Sequence, residues 1–552
     1  MTRLTALFLF VIFIAIFAIT CSKKTEQYNV SEQVAKFAPV TIKYDQSLLD
    51  ETESKALKKI VDAAKLMDDI FLRQVYSKNA ELREKLMAST DPADKSLQQL
   101  FDIMVGPFDR LEADKPFIGT APKPLGANFY PEDMTKEEFN AWIEAHPADR
   151  EQLEHTFTRI QRRGDQLVAV PYSEAYRQWL EPAAVLLQDA AEITGNASLA
   201  TYLNSRAEAF GSNDYYQSDM DWMDLYSRIE VVIGPYEVYE DKLFGYKAAF
   251  EAFVTLVDPA ESEKLAIVGK YLDKLEENWP IKNEYKNFNR GEYSPVKVVQ
   301  EVFSAGDTKA GVQTLAFNLP NDERVREAKG SKKVMLKNIA EAKFNKIYMP
   351  IARIVLDETM LPMISFDRWF THILMHETTH GLGPGMLTLE DGTKTTVQKM
   401  LQETYSAIEE CKADVGGLYT FAYLCKKGVF PEELEPGIYA TYLAGIFRSV
   451  RFGAEEAHGK ANMIAFNYLM GRGGFVYDSA TGKFSVDDTK IRAAVRELIG
   501  ELLTIQAEGD YKGACNLLET YASMPECMQT TLPKLAHVPV DIKPEFEVLE
   551  EL

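Results

Sequence analysis

The apolar positions of this chain recur mostly at helical spacing. From Ser54 to Leu86, Leu57, Ile60, Val61, Ala64, Leu66, Met67, Ile70 and Phe71 fall three and four apart, the mark of one helix face. Similar runs predict helices over 174–190, 197–210, 236–256 and 260–278. Phe366, Trp369, Phe370, Ile373 and Leu374 predict another, which Gly381-Leu382-Gly383-Pro384-Gly385 stops. A longer pattern runs from Val397, Met400, Leu401, Ala407 and Ile408 to Val415, Leu418 and Phe421. β-Branched residues gather around 295–303 (Val296, Val298, Val299) and 311–318 (Val312, Thr314), predicting strands that feed Asn318-Leu319-Pro320-Asn321. Residues 105–150 carry many Pro and Gly and read as loop-rich. The expected fold class is mainly α with a small β core (α+β). At 552 residues the chain exceeds a single core and predicts two lobes or more.

Residues 4–20 break this pattern with an apolar run that follows Met1-Thr2-Arg3 and ends at Cys21-Ser22-Lys23-Lys24. A basic start, an apolar middle and a cysteine read as a bacterial lipoprotein signal over 1–21, with a lipid anchor through Cys21. That places the body at the bacterial cell envelope, facing the periplasm or exterior. An uncleaved membrane anchor is the alternative, since seventeen mostly apolar residues barely suffice to span. Residues 22–40 are polar and irregular, a tether. The net charge of −22 argues against nucleic acid as a partner. Cys411, Cys425, Cys515 and Cys527 show no CxxC spacing, so a cysteine zinc site is not expected; whether Cys515 and Cys527 pair stays open.

The chemistry concentrates in His376-Glu377-Thr378-Thr379-His380. Residues four apart share a helix face, so both imidazoles can bind one Zn²⁺ from the same side. Glu377 then stands where it can deprotonate a water at the metal. A catalytic zinc needs a third protein ligand and an open position. His372 lies one turn upstream, but three histidines on a straight helix span about 12 Å, too far to share an ion. It reads as a packed residue. The better third ligand is Glu410, in Glu409-Glu410-Cys411-Lys412-Ala413-Asp414. Glu403, Ala407, Glu410 and Asp414 share one predicted face, so Glu410 can ligate while Asp414 fixes an imidazole N–H, with Glu409 also behind the ligands. The plain alternatives are a chance His pair on an amphipathic helix and a solvated acidic face.

This motif pair resembles the signature of the dipeptidyl peptidase III zinc metallopeptidases. In most members the first motif is one residue longer; here it has five. The chain also resembles the peptidase-like half of plant Nudix hydrolase fusion proteins. IGPYEVYEDKLFGYKAAFEAF from Ile233, FNLPNDE from Phe317, HETTHGLGPG from His376, FRSVRFGAEEAHGKA from Phe447 and LTIQAEGD from Leu503 carry the likeness, which covers about 210–545. It implies two lobes across a wide cleft. A helical zinc-binding catalytic lobe would hold 250–301 and 348–532; a lower lobe with a small β core would hold 41–249, 302–347 and 533–552. It also implies that His458 stabilises the oxyanion, and that Glu230, Asn318 and Asn321 hold the peptide's amino terminus. Two positions depart from the family: Val232 stands for a tyrosine that polarises the scissile carbonyl, and Asn462 for an arginine.

The expectation is thus an exopeptidase with one Zn²⁺ per chain on His376, His380 and Glu410. Glu377 would activate the water, and dipeptides would leave the amino termini of short peptides. A peptide-binding lipoprotein with little turnover is the competing expectation. No glycine-and-glutamate-rich Nudix helix is present, which argues against a phosphohydrolase.

Overall fold

A computed structural model describes residues 28–92, 94–288, 296–389, 391–453 and 456–550. The expected signal segment and Cys21 lie outside them. Among the described residues, no helix is long and apolar enough to cross a membrane. The fold is mostly helical around a small sheet, as the apolar periodicity predicts.

The first long helix, Glu51–Val75, begins at a capping box in which Asp50 and Glu53 satisfy each other's backbone N–H groups. Its buried stripe (Leu57, Ile60, Val61, Ala64, Met67, Ile70, Phe71) is the one the spacing predicts. The expected tether is partly a correction. Val30–Ala35 forms a helix capped by Asn29, and Phe37–Ile42 forms a strand parallel to Asp541–Phe546, pairing Phe37 with Asp541 and Ile42 with Phe546. Two segments some five hundred residues apart thus close on each other, and local composition carries no signal for that. The loop-rich stretch likewise contains the helix Lys136–Ala145, capped by the Thr135 hydroxyl.

At the centre lies a five-stranded sheet of β1 (Ile229–Glu237), β2 (Ala249–Val257), β3 (Val296–Gly306), β4 (Ala316–Leu319) and β5 (Lys332–Leu336), in the order β1-β2-β3-β5-β4. β3 and β5 run parallel, and the other neighbours are antiparallel. The helix predicted over 236–256 is therefore the end of β1, an irregular connection and most of β2. β1 and β2 are buried on both faces, so they lack the polar–apolar alternation that would have marked them as strands. The boundaries expected at 249/250 and 301/302 fall inside β2 and β3, which this one sheet holds together.

The helical part is built on α1 (Phe366–His380), α2 (Tyr405–Lys426), α3 (Ala457–Gly471) and α4 (Ile491–Glu508), with α2 packed against the other three. The long pattern from Val397 is broken before α2. Val397–Leu401 is a separate turn of helix, and Gln402 has a positive φ of 52°. Glu403 consequently leaves the face of Glu410 and Asp414, and its carboxylate accepts from the Tyr511 hydroxyl instead.

Candidate metal centre

α1 starts where the Ser365 hydroxyl accepts from the Arg368 N–H, and stops at Gly381. It meets α2 at a close crossing made by two glycines. A Cβ on Gly417 would lie 3.1 Å from the His376 nitrogen, and one on Gly416 2.7 Å from Thr379 Cγ2. This approach lets the carboxylates of α2 reach the imidazoles of α1.

His376 Nε2 and His380 Nε2 lie 3.1 Å apart, and Glu410 Oε2 is 3.4 Å from the first and 3.7 Å from the second. Glu410 Oε2 is buried and closes no well-directed hydrogen bond, although His458 Nδ1 also stands 3.2 Å away. Two imidazole nitrogens and a carboxylate oxygen aimed at one point form the donor set that suits a divalent zinc. The outer atoms are tied down. His376 Nδ1–H donates to Asp414 Oδ1 at 2.7 Å, and His380 Nδ1–H to Glu409 Oε1 at 2.9 Å. Each imidazole is thereby left with Nε2 free to ligate.

The electrostatics agree. Burial disfavours charge on His376, but Asp414 and Glu410 outweigh it and lift its pKa to about 10. A cation is wanted at this point, and a bound metal takes the proton's place. Burial also opposes the Glu409 carboxylate, yet Lys412 and His380 bring it down to about 2. Glu377 stays below the usual carboxylate range: burial is countered by His376, then Lys333, then His380.

His372 is a packed residue, as expected. It is buried against Tyr442, and its Nε2–H donates to the Asp414 carbonyl at 3.2 Å. His458, at the start of α3, does come to the site. Asn462 Nδ2 donates to the His458 carbonyl at 2.7 Å, so the residue that departs from the family supports the histidine's turn. Several contributors carried no signal in the sequence. Lys412 bridges Glu409 at 2.8 Å and donates to the Leu382 carbonyl at 3.0 Å. Gln506 of α4 donates to Glu409 Oε2 at 2.7 Å. Tyr405 lies near Glu409 and Glu410, which with burial push its phenol up to about 12.

The expected amino-terminal clamp divides. Asn318 and Asn321 line a cavity of about 680 Å³ with Glu237, Glu251, Asp307 and Tyr239. Glu230 is not among them, and this is a correction. Asn318 pairs directly with Lys333, while Lys297 pairs with Val334, so Lys297 and Lys332 point to the opposite sheet face. Glu230 is held there between those two lysines, 1 % exposed. Its charge is already answered. In the cavity Glu240 is paired with Arg110 at 2.9 Å and with Lys123, whereas among the described residues Glu237, Glu251 and Asp307 make no ion pair. Glu251 is 3 % exposed, and burial followed by Asp307 and Glu237 drives its pKa well above the usual range. Burial, followed by Glu240, raises Asp307 to about 7. Tyr236 is buried with its hydroxyl on Arg206, and Val232, counted from the Glu230 position, is buried in β1; Tyr239, two residues after Glu237, lines the acidic cavity.

An HExxH helix crossed by a second helix that carries the third donor defines a metallopeptidase-type hydrolase. The comparisons agree. Peptidase family M49 matches residues 133–399. The structure of DPP III from Caldithrix abyssi superposes with a TM-score of 0.92 at 59% identity, covering 94% of this chain and 99% of that one. Dipeptidyl-peptidase III from Corallococcus sp. strain EGB gives 0.79 at 44%, covering 95% and 97%. Nudix hydrolase 3 of Arabidopsis thaliana is 39% identical over 96% of this chain and 76% of its own length. Dipeptidyl peptidase 3 of Homo sapiens is 25% identical over 55% of this chain and 48% of its own length. The chain belongs to peptidase family M49 and is a hydrolase of that class.

Proposed function

We propose that this protein is a zinc-dependent exopeptidase that releases dipeptides from the amino termini of short peptides. The observation that carries the reading is the buried, hydrogen-bond-poor Glu410 Oε2 facing two imidazole nitrogens 3.1 Å apart, with Glu377 beside them. His376, His380 and Glu410 would hold one Zn²⁺, which supplies Lewis-acid activation of water and of the scissile carbonyl. Glu377, kept ionised, takes the proton of the attacking water and returns it to the leaving amine. His458 hydrogen-bonds the carbonyl oxygen as charge develops there. The acidic cavity takes the peptide's ammonium group, with Asn318 and Asn321 as further acceptors. Two extended residues span about 6.6–7 Å, so the separation of cavity and metal selects the second peptide bond. In this reading sheet and zinc helices form two lobes across a cleft that admits the peptide.

Metal analysis of purified protein, run beside mass spectrometry of a peptide mixture, tests this. Zinc at about one per chain with dipeptides released by wild type and released roughly 10²–10⁴-fold more slowly by Glu377→Ala supports it; zinc-loaded protein that binds peptides without cleaving them rejects it. The sequence alone supports a lipid anchor at Cys21. Fatty-acid labelling abolished in Cys21→Ala is the expected result, and an intact Met1 in the mature protein would contradict it.

A further inference from the structure

The metal donors and their supports all sit on helices, yet one side chain reaches the general base from the sheet. Lys333 of β5 donates from Nζ to the Glu377 carbonyl at 2.9 Å and to Glu377 Oε2 at 3.2 Å. The carbonyl contact has a structural cause. The last turn of α1 tightens: the Gly381 N–H bonds Thr378 at 3.1 Å and the Leu382 N–H bonds Thr379 at 3.0 Å, so Gly381 does not serve the Glu377 carbonyl four residues back. Lys333 meets that carbonyl, and a cation at a helix C-terminus is favoured by the aligned peptide dipoles. The same ammonium reaches the carboxylate, whose side chain is otherwise free to rotate about several bonds.

The strand register adds a second link. Lys333 stands directly opposite Asn318, a residue that lines the acidic cavity, in the antiparallel β4–β5 pair. Lys332 points to the other face, where it holds Glu230. The strand that lines the cavity is thus joined to Glu377 through one register pair and one ammonium group.

We infer that Lys333 is a positioning residue: it caps the carbonyl of Glu377, fixes the direction of its carboxylate, and couples that direction to the peptide-binding strand. This rests on the peptidase reading above for its kinetic consequences, but not for its structural ones. Lys333→Met removes the ammonium while keeping the length of the side chain. Lys333→Arg retains charge and donors. Lys333→Met lowers kcat roughly 10- to 100-fold, the scale expected of a misplaced general base, with KM within about twofold. Lys333→Arg recovers most of the loss, and both variants keep wild-type zinc content. In a Glu377→Ala background, adding Lys333→Met changes the residual rate by less than about twofold, because the group it positions is gone.

Amide hydrogen exchange over 378–382 supplies a readout independent of activity. It quickens in Lys333→Met and stays near wild type in Lys333→Arg. Unchanged kcat in Lys333→Met, an equal loss with and without Glu377, or loss of zinc would each overturn the assignment. A zinc-loaded wild type that cleaves nothing defeats the peptidase reading instead. Exchange then still decides Lys333, since unaltered exchange in Lys333→Met contradicts the cap.

Discussion

At the scale of residues, each metal donor has a distinct job, and its loss has a distinct signature. His380→Ala and Glu410→Ala each remove one donor and should lose most of the zinc, measured by metal analysis after dialysis. His372→Ala should retain it, because His372 Nε2 is engaged with the Asp414 carbonyl; zinc loss there would mean the ligand set is wrong. Glu301 offers a test of stability against pH. It is 2 % exposed, and burial raises its pKa to about 7 against a weaker pull from Ser304 and Lys343. The folded state therefore binds more protons than the unfolded chain between the ordinary carboxylate range and pH 7, and stability falls as pH rises through that window. Glu301→Gln should stabilise the fold at pH 8 by on the order of 3 kcal/mol, read as a higher melting temperature, and by less at pH 5. Equal gains at both pH values would contradict it. The metal donors were legible because HExxH and the Glu410 helix are local, periodic signals. Lys333 and Glu251 were not: their roles depend on strand register, which no short stretch of sequence encodes.

Among the elements, the crossing of α1 and α2 decides whether the site exists. Gly417→Ala would put a methyl 3.1 Å from the His376 nitrogen and 3.3 Å from the Met375 carbonyl carbon, so backbone must give way. A loss of about 1–3 kcal/mol and weaker zinc retention are expected, read from denaturant melts and competition with a chelator. Unchanged stability and zinc affinity would show that the crossing tolerates separation. The helices bearing the site could be read from spacing because each buries one stripe. Of the sheet, β3 and the run into β4 were marked by β-branched residues but β1 and β2 were not: β2 is buried from Ala249 to Leu256, and its alanines and aromatics fit a helix as well as a central strand. Glu230 was misassigned because its ion pairs with Lys297 and Lys332 join three different strands, which no short stretch of sequence shows.

In the whole molecule a metal centre on helices meets an acidic cavity on a sheet, and their separation is expected to set the length of the product. The most direct measurement is mass spectrometry of zinc-loaded protein incubated with one short peptide in two forms, amino terminus free and acetylated. The account predicts intact dipeptides from the free peptide. Near-complete loss of cleavage on acetylation is expected, because an acetylated terminus brings no ammonium group for the cavity carboxylates and the Asn318 and Asn321 oxygens to bind. Glu251→Gln should raise KM for the free peptide, whereas Glu230→Gln should not, since Lys297 and Lys332 already answer the charge of Glu230. Equal cleavage of both forms, or release mainly of single amino acids, would contradict the account.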